Sequence, residues 1–393
     1  MNYDFDTVVE RRGTNSLKYD ASRAREKGEE LLPMWVADMD FRTAPEILAR
    51  LQQVVEHGIF GYSDGGEAYF ESVRGWYKSQ FGWEVKKEWL IKTPGVVYAL
   101  AASVRAFTEE GDAVLLQQPV YYPFGQVIRE NGRRVINNPL KLADGHYEID
   151  FEDFEEKIIR ERVKLFLLCN PHNPVGRVFS EPELRKMGEI CKKHGVLVVS
   201  DEIHSDFVYP GRQHRVFASL SPAYEAMSVT CTAPSKTFNL AGLQVSNIFI
   251  PDEGMRGRFL HEMRKTGYSQ VNRMGLAACQ AAYEEGGPWL AALKEYLADN
   301  VAYVREFLRE NLPEITLIEP EGTYLLWLDF RKLGLTEEER EELLFERAGL
   351  WLDSGVMFGD EGEGFERINI ACPRKTLEQA MSRLAAAVGA LRG

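Results

Sequence analysis

The chain has 393 residues, 45% of them hydrophobic and 27% charged, close to the averages of folded globular proteins, which excludes wholesale disorder and low complexity. Its net charge of −13 argues against a nucleic-acid or anionic-membrane partner, because binding phosphates needs basic surface; a local anion site stays open. The length exceeds one ordinary core and points to two domains.

Met1 to Asp20 is polar and mixed in charge, with no apolar signal core. No apolar run approaches the roughly 18–20 residues that span a bilayer, so a cytoplasmic protein without a membrane partner is expected. Thr43-x-x-Glu46 opens a helix with Ile47, Leu48, Leu51, Val54 and Val55 on one face and Gly58 as its stop. Gly95-Val96-Val97 precedes a helix from Tyr98 through Ala106. Apolar runs follow at Ala113–Leu116, Leu165–Cys169, Val196–Val199 and Met227–Cys231, the last three starting about 31 residues apart. Strand, helix and strand in about 30 residues make one βαβ unit, and a series of them implies a parallel, mostly buried sheet. Between two of these strands, Ser180-x-x-Glu183 with Pro182 is a capping box, and Leu184, Met187 and Cys191 recur at helical spacing.

After about Gly286 the character changes. Pro288 to Leu312 reads as one long amphipathic helix, followed by strand formers at Ile315–Ile318 and Tyr324–Phe330. Thr336-x-x-Glu339 opens a helix ending at Gly349, a short strand is expected at Arg367–Ala371, and Thr376-x-x-Gln379 opens the last helix. The expected architecture is therefore α/β: a large domain over residues 50–285 with a mostly parallel central sheet, and a small α+β domain formed by residues 1–49 and 286–393. The five cysteines are odd in number and show no C-x-x-C spacing, which disfavours disulfides or a zinc site; Cys169, Cys231 and Cys372 read as small core residues. The histidines have no metal-ligand spacing, so no metal is expected.

Ligands of open parallel sheets bind beyond the carboxyl ends of the strands. Three expected strand ends carry chemistry. Leu165–Cys169 leads into Asn170-Pro171-His172-Asn173-Pro174-Val175-Gly176, Val196–Val199 into Ser200-Asp201-Glu202-Ile203-His204, and Met227–Cys231 into Thr232-Ala233-Pro234-Ser235-Lys236. Singly, these are a rigid turn, a capping carboxylate and a surface lysine. If the strands are neighbours, all face one crevice. A lysine desolvated there loses its proton more readily and can attack a carbonyl. Such a lysine, with an Asp for a pyridinium nitrogen, is the signature of pyridoxal-phosphate chemistry.

The N-P-x-N-P-x-G run, Asp201-x-x-His204 and Ser235-Lys236 resemble the fold-type I aminotransferase superfamily of pyridoxal-phosphate enzymes, across nearly the whole chain. Pro33-Met34-Trp35-Val36-Ala37-Asp38-Met39-Asp40-Phe41, Phe60-Gly61-Tyr62 and Ser235 through Gln244 resemble its cystathionine β-lyase, or C–S lyase, branch. The resemblance implies the aspartate aminotransferase-like fold, pyridoxal 5'-phosphate as cofactor and β-elimination from a thioether amino acid such as L-cystathionine. By the same resemblance, Lys236 would hold the cofactor and move the Cα proton, and Asp201 would pair with the pyridine nitrogen. Asn173 and His204 would contact the ring hydroxyl. Tyr121 would stack on the ring, with neighbouring Tyr122 leaving the register open by one. Val96, Val97 and Ser235 would hold the phosphate, at the start of a helix. Tyr62 would reach the phosphate of a neighbouring subunit, which implies a homodimer with shared active sites. Arg367 would clamp the substrate carboxylate, beside Asn173 and Ala37.

Two positions depart from many relatives: Gln244 stands where an arginine usually meets the phosphate, and Ala233 replaces a hydroxyl. The glutamine suits the lyase branch. An aminotransferase using the same residues is the first alternative, and a cofactor-binding regulatory protein without significant catalysis is the second. Trp35, Tyr62, Tyr121 and Tyr324 are candidates to shape the side-chain pocket. No P-loop or G-x-S-x-G motif occurs, and the glycines from Gly359 to Gly364 follow no long buried strand that would make them a dinucleotide loop.

Overall fold

The computed structural model describes residues 3–391 apart from 22, 23, 25 and 27–29. Its main sheet has seven strands: β1 (Leu90–Thr93), β2 (Ala113–Leu116), β3 (Arg134–Asn137), β4 (Leu165–Cys169), β5 (Leu197–Asp201), β6 (Ser228–Thr232) and β7 (Ser246–Phe249). They lie in the order β1-β7-β6-β5-β4-β2-β3. Only β7 runs antiparallel to its neighbours; every other pairing is parallel. β4 and β6 are buried at every residue. That is why they read as continuous apolar or small-residue runs rather than alternating ones: helices cover both faces of a parallel sheet.

The register aligns the functional edge. Cys169 of β4 pairs with Asp201 of β5, and Asp201 pairs with Cys231 of β6. The three segments that follow these strands therefore leave the sheet side by side. β5 and β6 lie one or more residues later than the apolar runs alone indicate, because ladder pairing carries β5 on to Asp201 and β6 on to Thr232.

Helix signals held where a side chain performs the capping. Helix α3 (Glu181–His194) has the full Ser180–Glu183 capping box and a left-handed Gly195. Helix α1 (Pro45–His57) ends at left-handed Gly58 as expected. Its start differs: Ala44 is the cap residue and Thr43 makes no cap, since Pro45 already supplies a preset first turn. Leu48 and Val55 are exposed, because they lie about 100° around the helix from the buried Ile47 and Val54. Helix α2 (Val96–Phe107) begins two residues earlier than expected.

A long helix, α4 (Gly287–Asn311), leads into a second, wholly antiparallel sheet. Its strands are β8 (Thr316–Ile318), β9 (Leu325–Asp329), β10 (Asp353–Ser354) and β11 (Phe365–Asn369), in the order β8-β9-β11-β10. β11 starts two residues before the expected Arg367, because its two charged residues are buried in pairs, Glu366 with Arg340 and Arg367 with Asp353. The helix expected to run from Thr336 to Gly349 keeps its Thr336–Glu339 capping box but turns into a π-helix at Glu342–Arg347. The last helix, α5 (Arg374–Gly389), begins after Pro373, leaving Thr376 inside its first turn rather than at the cap. Leu32–Pro33 pairs with Leu350–Trp351, bringing the N-terminal segment onto this part of the molecule. All five cysteines are buried and free. Among the described residues no helix is long and apolar enough to cross a membrane.

Candidate active site

A cavity of about 220 Å³ opens at the carboxyl edge of β4, β5 and β6, with Ala37 of the segment Trp35–Phe41 in its lining. Lys236 lies in the single turn Pro234–Thr237 that follows β6, and its Nζ donates to the carbonyl of Ala37 at 2.7 Å. Burial pushes the amine down to about 8, and the positive Arg367 adds to this against the pull of Asp38 and Asp201. At pH 7 about one such amine in ten is unprotonated, against fewer than about one in a thousand for an ordinary lysine. An amine of this kind can act as a nucleophile or a base.

Asp201 ends β5 and is buried. Burial pushes its carboxyl up to about 7; the Ile203 N–H that it accepts at 3.1 Å opposes this, Glu202 adds to it, and Lys236 opposes it again. Such a carboxylate gains most from a cationic partner. His204 is buried, its Nδ1 has no partner, and burial holds it down to about 3, helped by Lys236 and Arg367, so its imidazole is neutral.

Asn173 sits in the turn after β4. Its carbonyl accepts Tyr121 N–H at 3.0 Å and its Oδ1 accepts Arg367 Nη1 at 2.8 Å. That turn therefore places both an aromatic ring and a guanidinium. Tyr121 lines the cavity and Tyr122 does not. Val96 and Val97 begin α2, whose cap residue Gly95 offers no side-chain acceptor, so the first N–H groups of the helix face the cavity without a capping partner. Ser235 and Gln244 complete this end, and Gln244 brings no charge.

Four candidates stand apart from the cavity lining: Arg367, Tyr62, Trp35 and Tyr324. Arg367 lies behind it on β11 and reaches it through Asn173. Tyr62 is fully exposed. Ala37 is in the lining, and its carbonyl also accepts Tyr324 Oη at 3.0 Å.

Sequence reasoning missed the residues that hold Trp35–Phe41 in place. Asn369 Nδ2 donates to the carbonyls of Val36 and Asp38, both at 2.6 Å. Asn239 accepts Met39 N–H and donates to the carbonyls of Met39 and Phe41, all at 2.9 Å. Arg11 pairs with Asp38 and Asp40, and the buried Lys18 pairs with Asp40 at 2.7 Å. Asp353, the buried partner of Arg367, was missed as well. Asn239 lies inside the Ser235–Gln244 motif, but no spacing ties it or Asn369 to the carbonyls they hold, and only strand pairing across the second sheet would reveal Asp353.

The donor set fits pyridoxal phosphate. It supplies an amine for the aldehyde, a buried acid for the ring nitrogen, an orphaned imidazole nitrogen and an amide for the ring hydroxyl, and an aromatic face. Uncapped backbone N–H groups suit the phosphate.

The family model of aminotransferase class I and II matches residues 32–384. The chain is similar to cystathionine beta-lyase PatB of Bacillus subtilis (strain 168), at 45% identity over 98% of this chain and 100% of that protein. It is similar to protein MalY of Escherichia coli (strain K12), at 34% identity over 99% of this chain and 100% of that protein. Among solved structures, cystalysin from Treponema denticola, which contains a pyridoxal 5'-phosphate cofactor, superposes with a TM-score of 0.97 at 39% identity, covering 100% of both chains.

Proposed function

The chain belongs to the aminotransferase class I and II family, and from that premise we propose that it is a pyridoxal-phosphate-dependent C–S lyase. It cleaves the Cβ–S bond of cysteine thioethers, L-cystathionine among them, and with water yields a thiol, pyruvate and ammonia. The observation that carries this reading is the convergence of Lys236, Asp201 and Asn173 at three adjacent strand ends, in a chain similar along its whole length to a cystathionine beta-lyase.

When bound, pyridoxal phosphate supplies an electron sink for the pair released as the Cα–H bond breaks. Asp201 holds the proton on the ring nitrogen, and its burial strengthens that charge pairing. His204, neutral, and Asn173 address the ring hydroxyl. Lys236, with its lowered proton affinity, takes the Cα proton; the pair from the Cα–H bond then becomes the Cα–Cβ double bond as the thiolate leaves from Cβ with the Cβ–S pair. Arg367 fixes the substrate carboxylate, which orients Cα–H towards Lys236. The Ala37 carbonyl holds the amine of Lys236 in place by accepting from it.

The active form in this reading is a homodimer in which Tyr62 reaches the neighbouring subunit's phosphate. Tyr62 is fully exposed and follows Ile59 and Phe60, which are 69% and 61% exposed; a second copy would cover this apolar stretch. The test is thiol release from L-cystathionine by the loaded protein, read with a thiol reagent. Release confirms the reading; its absence, with no other cysteine thioether cleaved, refutes it. Sedimentation checks the dimer, which a monomer at working concentration contradicts.

A further inference from the structure

We propose that Asp353 is a positioning residue that sets the plane of the Arg367 guanidinium for the substrate carboxylate. This rests on the reading of Arg367 as the carboxylate clamp. Asp353 and Arg367 stand directly opposite one another across β10 and β11. Cross-strand neighbours are close enough for their side chains to meet. Both side chains are buried, at 4% and 3% exposure, and Asp353 Oδ2 accepts from Arg367 Nη2. The same Nη2 donates to the carbonyl of Trp35 at 3.1 Å, and Nη1 donates to Asn173 Oδ1 at 2.8 Å. The ring of Phe358 packs at 4.8 Å from the guanidinium carbon.

Three segments far apart in sequence thus hold one planar cation, and Nε is left buried without a partner. A guanidinium fork recognises a carboxylate only when its plane is fixed. Trp35 and Asn173 are neutral acceptors. Asp353 is the one carboxylate in hydrogen-bond contact with Arg367 among the described residues, and its acceptor oxygen fixes the Nη2 edge of the fork. Asp353 is absent from the cavity lining, so it acts through Arg367.

Orientation and charge are separable. Asn at 353 keeps an acceptor oxygen and loses the charge; Ala loses both. Asp353→Ala is expected to raise KM for a cysteine thioether about tenfold or more while kcat changes less than about threefold. Asp353→Asn is expected to return KM to within about threefold of the parent. An S-alkyl cysteamine has the amine and thioether but no carboxylate. Its affinity for the loaded protein, read from the cofactor absorbance, should be the same in the parent and in both variants. If Asp353→Ala does not fold, Asp353→Ser, whose shorter hydroxyl falls short of Nη2, is read in its place.

Arg367→Lys separates the two ways of failing. If it leaves KM unchanged, the clamp reading itself is wrong. If it raises KM but Asp353→Ala does not, the positioning role is overturned. The role is also overturned if Asp353→Asn is as impaired as Asp353→Ala, or if the cysteamine analogue loses affinity equally.

Discussion

The two walls of the cavity are built by different means. The lower wall is the carboxyl edge of β4, β5 and β6, where Asp201 ends β5 and Asn173 and Lys236 follow β4 and β6 by a few residues. Parallel pairing aligns them, and each side chain depends mainly on its own strand and turn. The upper wall is Ala37 within the segment Trp35–Phe41, backed by Arg367 and Asp353 behind the cavity lining and joined to them by contacts such as that from Arg367 to Trp35, which are 332 positions apart. The comparison teaches a division of labour. In the proposed function the lower wall performs the bond chemistry and the upper wall binds and orients the substrate. Damage below should appear in kcat, and damage above in KM.

The strongest way to break this comparison is at Lys236. Lys236→Ala should lower kcat by about 10³-fold or more with the fold unchanged by circular dichroism, since it removes the proton carrier. Normal turnover would end the account of the lower wall. Asp201→Asn comes next, with an expected loss of about 10²–10³-fold in kcat and little change in KM, because the charge facing the ring nitrogen disappears. A pure KM effect would place Asp201 with the binding residues instead. On the upper wall, Arg367→Lys should raise KM by about 10–100-fold and spare kcat, since one point charge replaces a planar fork. An equal fall in kcat would erase the distinction between the walls.

These differences explain what the sequence reveals. The lower wall was readable because strand periodicity and turn chemistry are local: Asn173, Asp201 and Lys236 stand where the apolar runs stop. The capping boxes at Ser180 and Thr336 were readable for the same reason. Arg367 came only through resemblance, and Asp353 not at all, because a buried charge inside a strand looks like a surface residue until its cross-strand partner is known. Asn239 and Asn369 hide likewise. Their acceptors are backbone carbonyls of a distant segment, which no spacing rule connects to them.

The smallest predicted effect concerns pH. Lys236 must be unprotonated to capture the cofactor, and burial puts its midpoint at about 8. Its reactive form therefore grows as pH rises through that value. Capture of pyridoxal phosphate by the cofactor-free protein, followed by absorbance, should speed up about tenfold between about pH 7 and pH 9 and then level off. An ordinary exposed lysine would keep accelerating about tenfold per pH unit over the same span.

The most direct measurement is the product balance of the loaded protein with L-cystathionine and no added keto acid. The account predicts pyruvate, ammonia and free thiol in equal amounts over many turnovers. Amino-group transfer that starts only when a keto acid is supplied, with the Cβ–S bond intact, would contradict it.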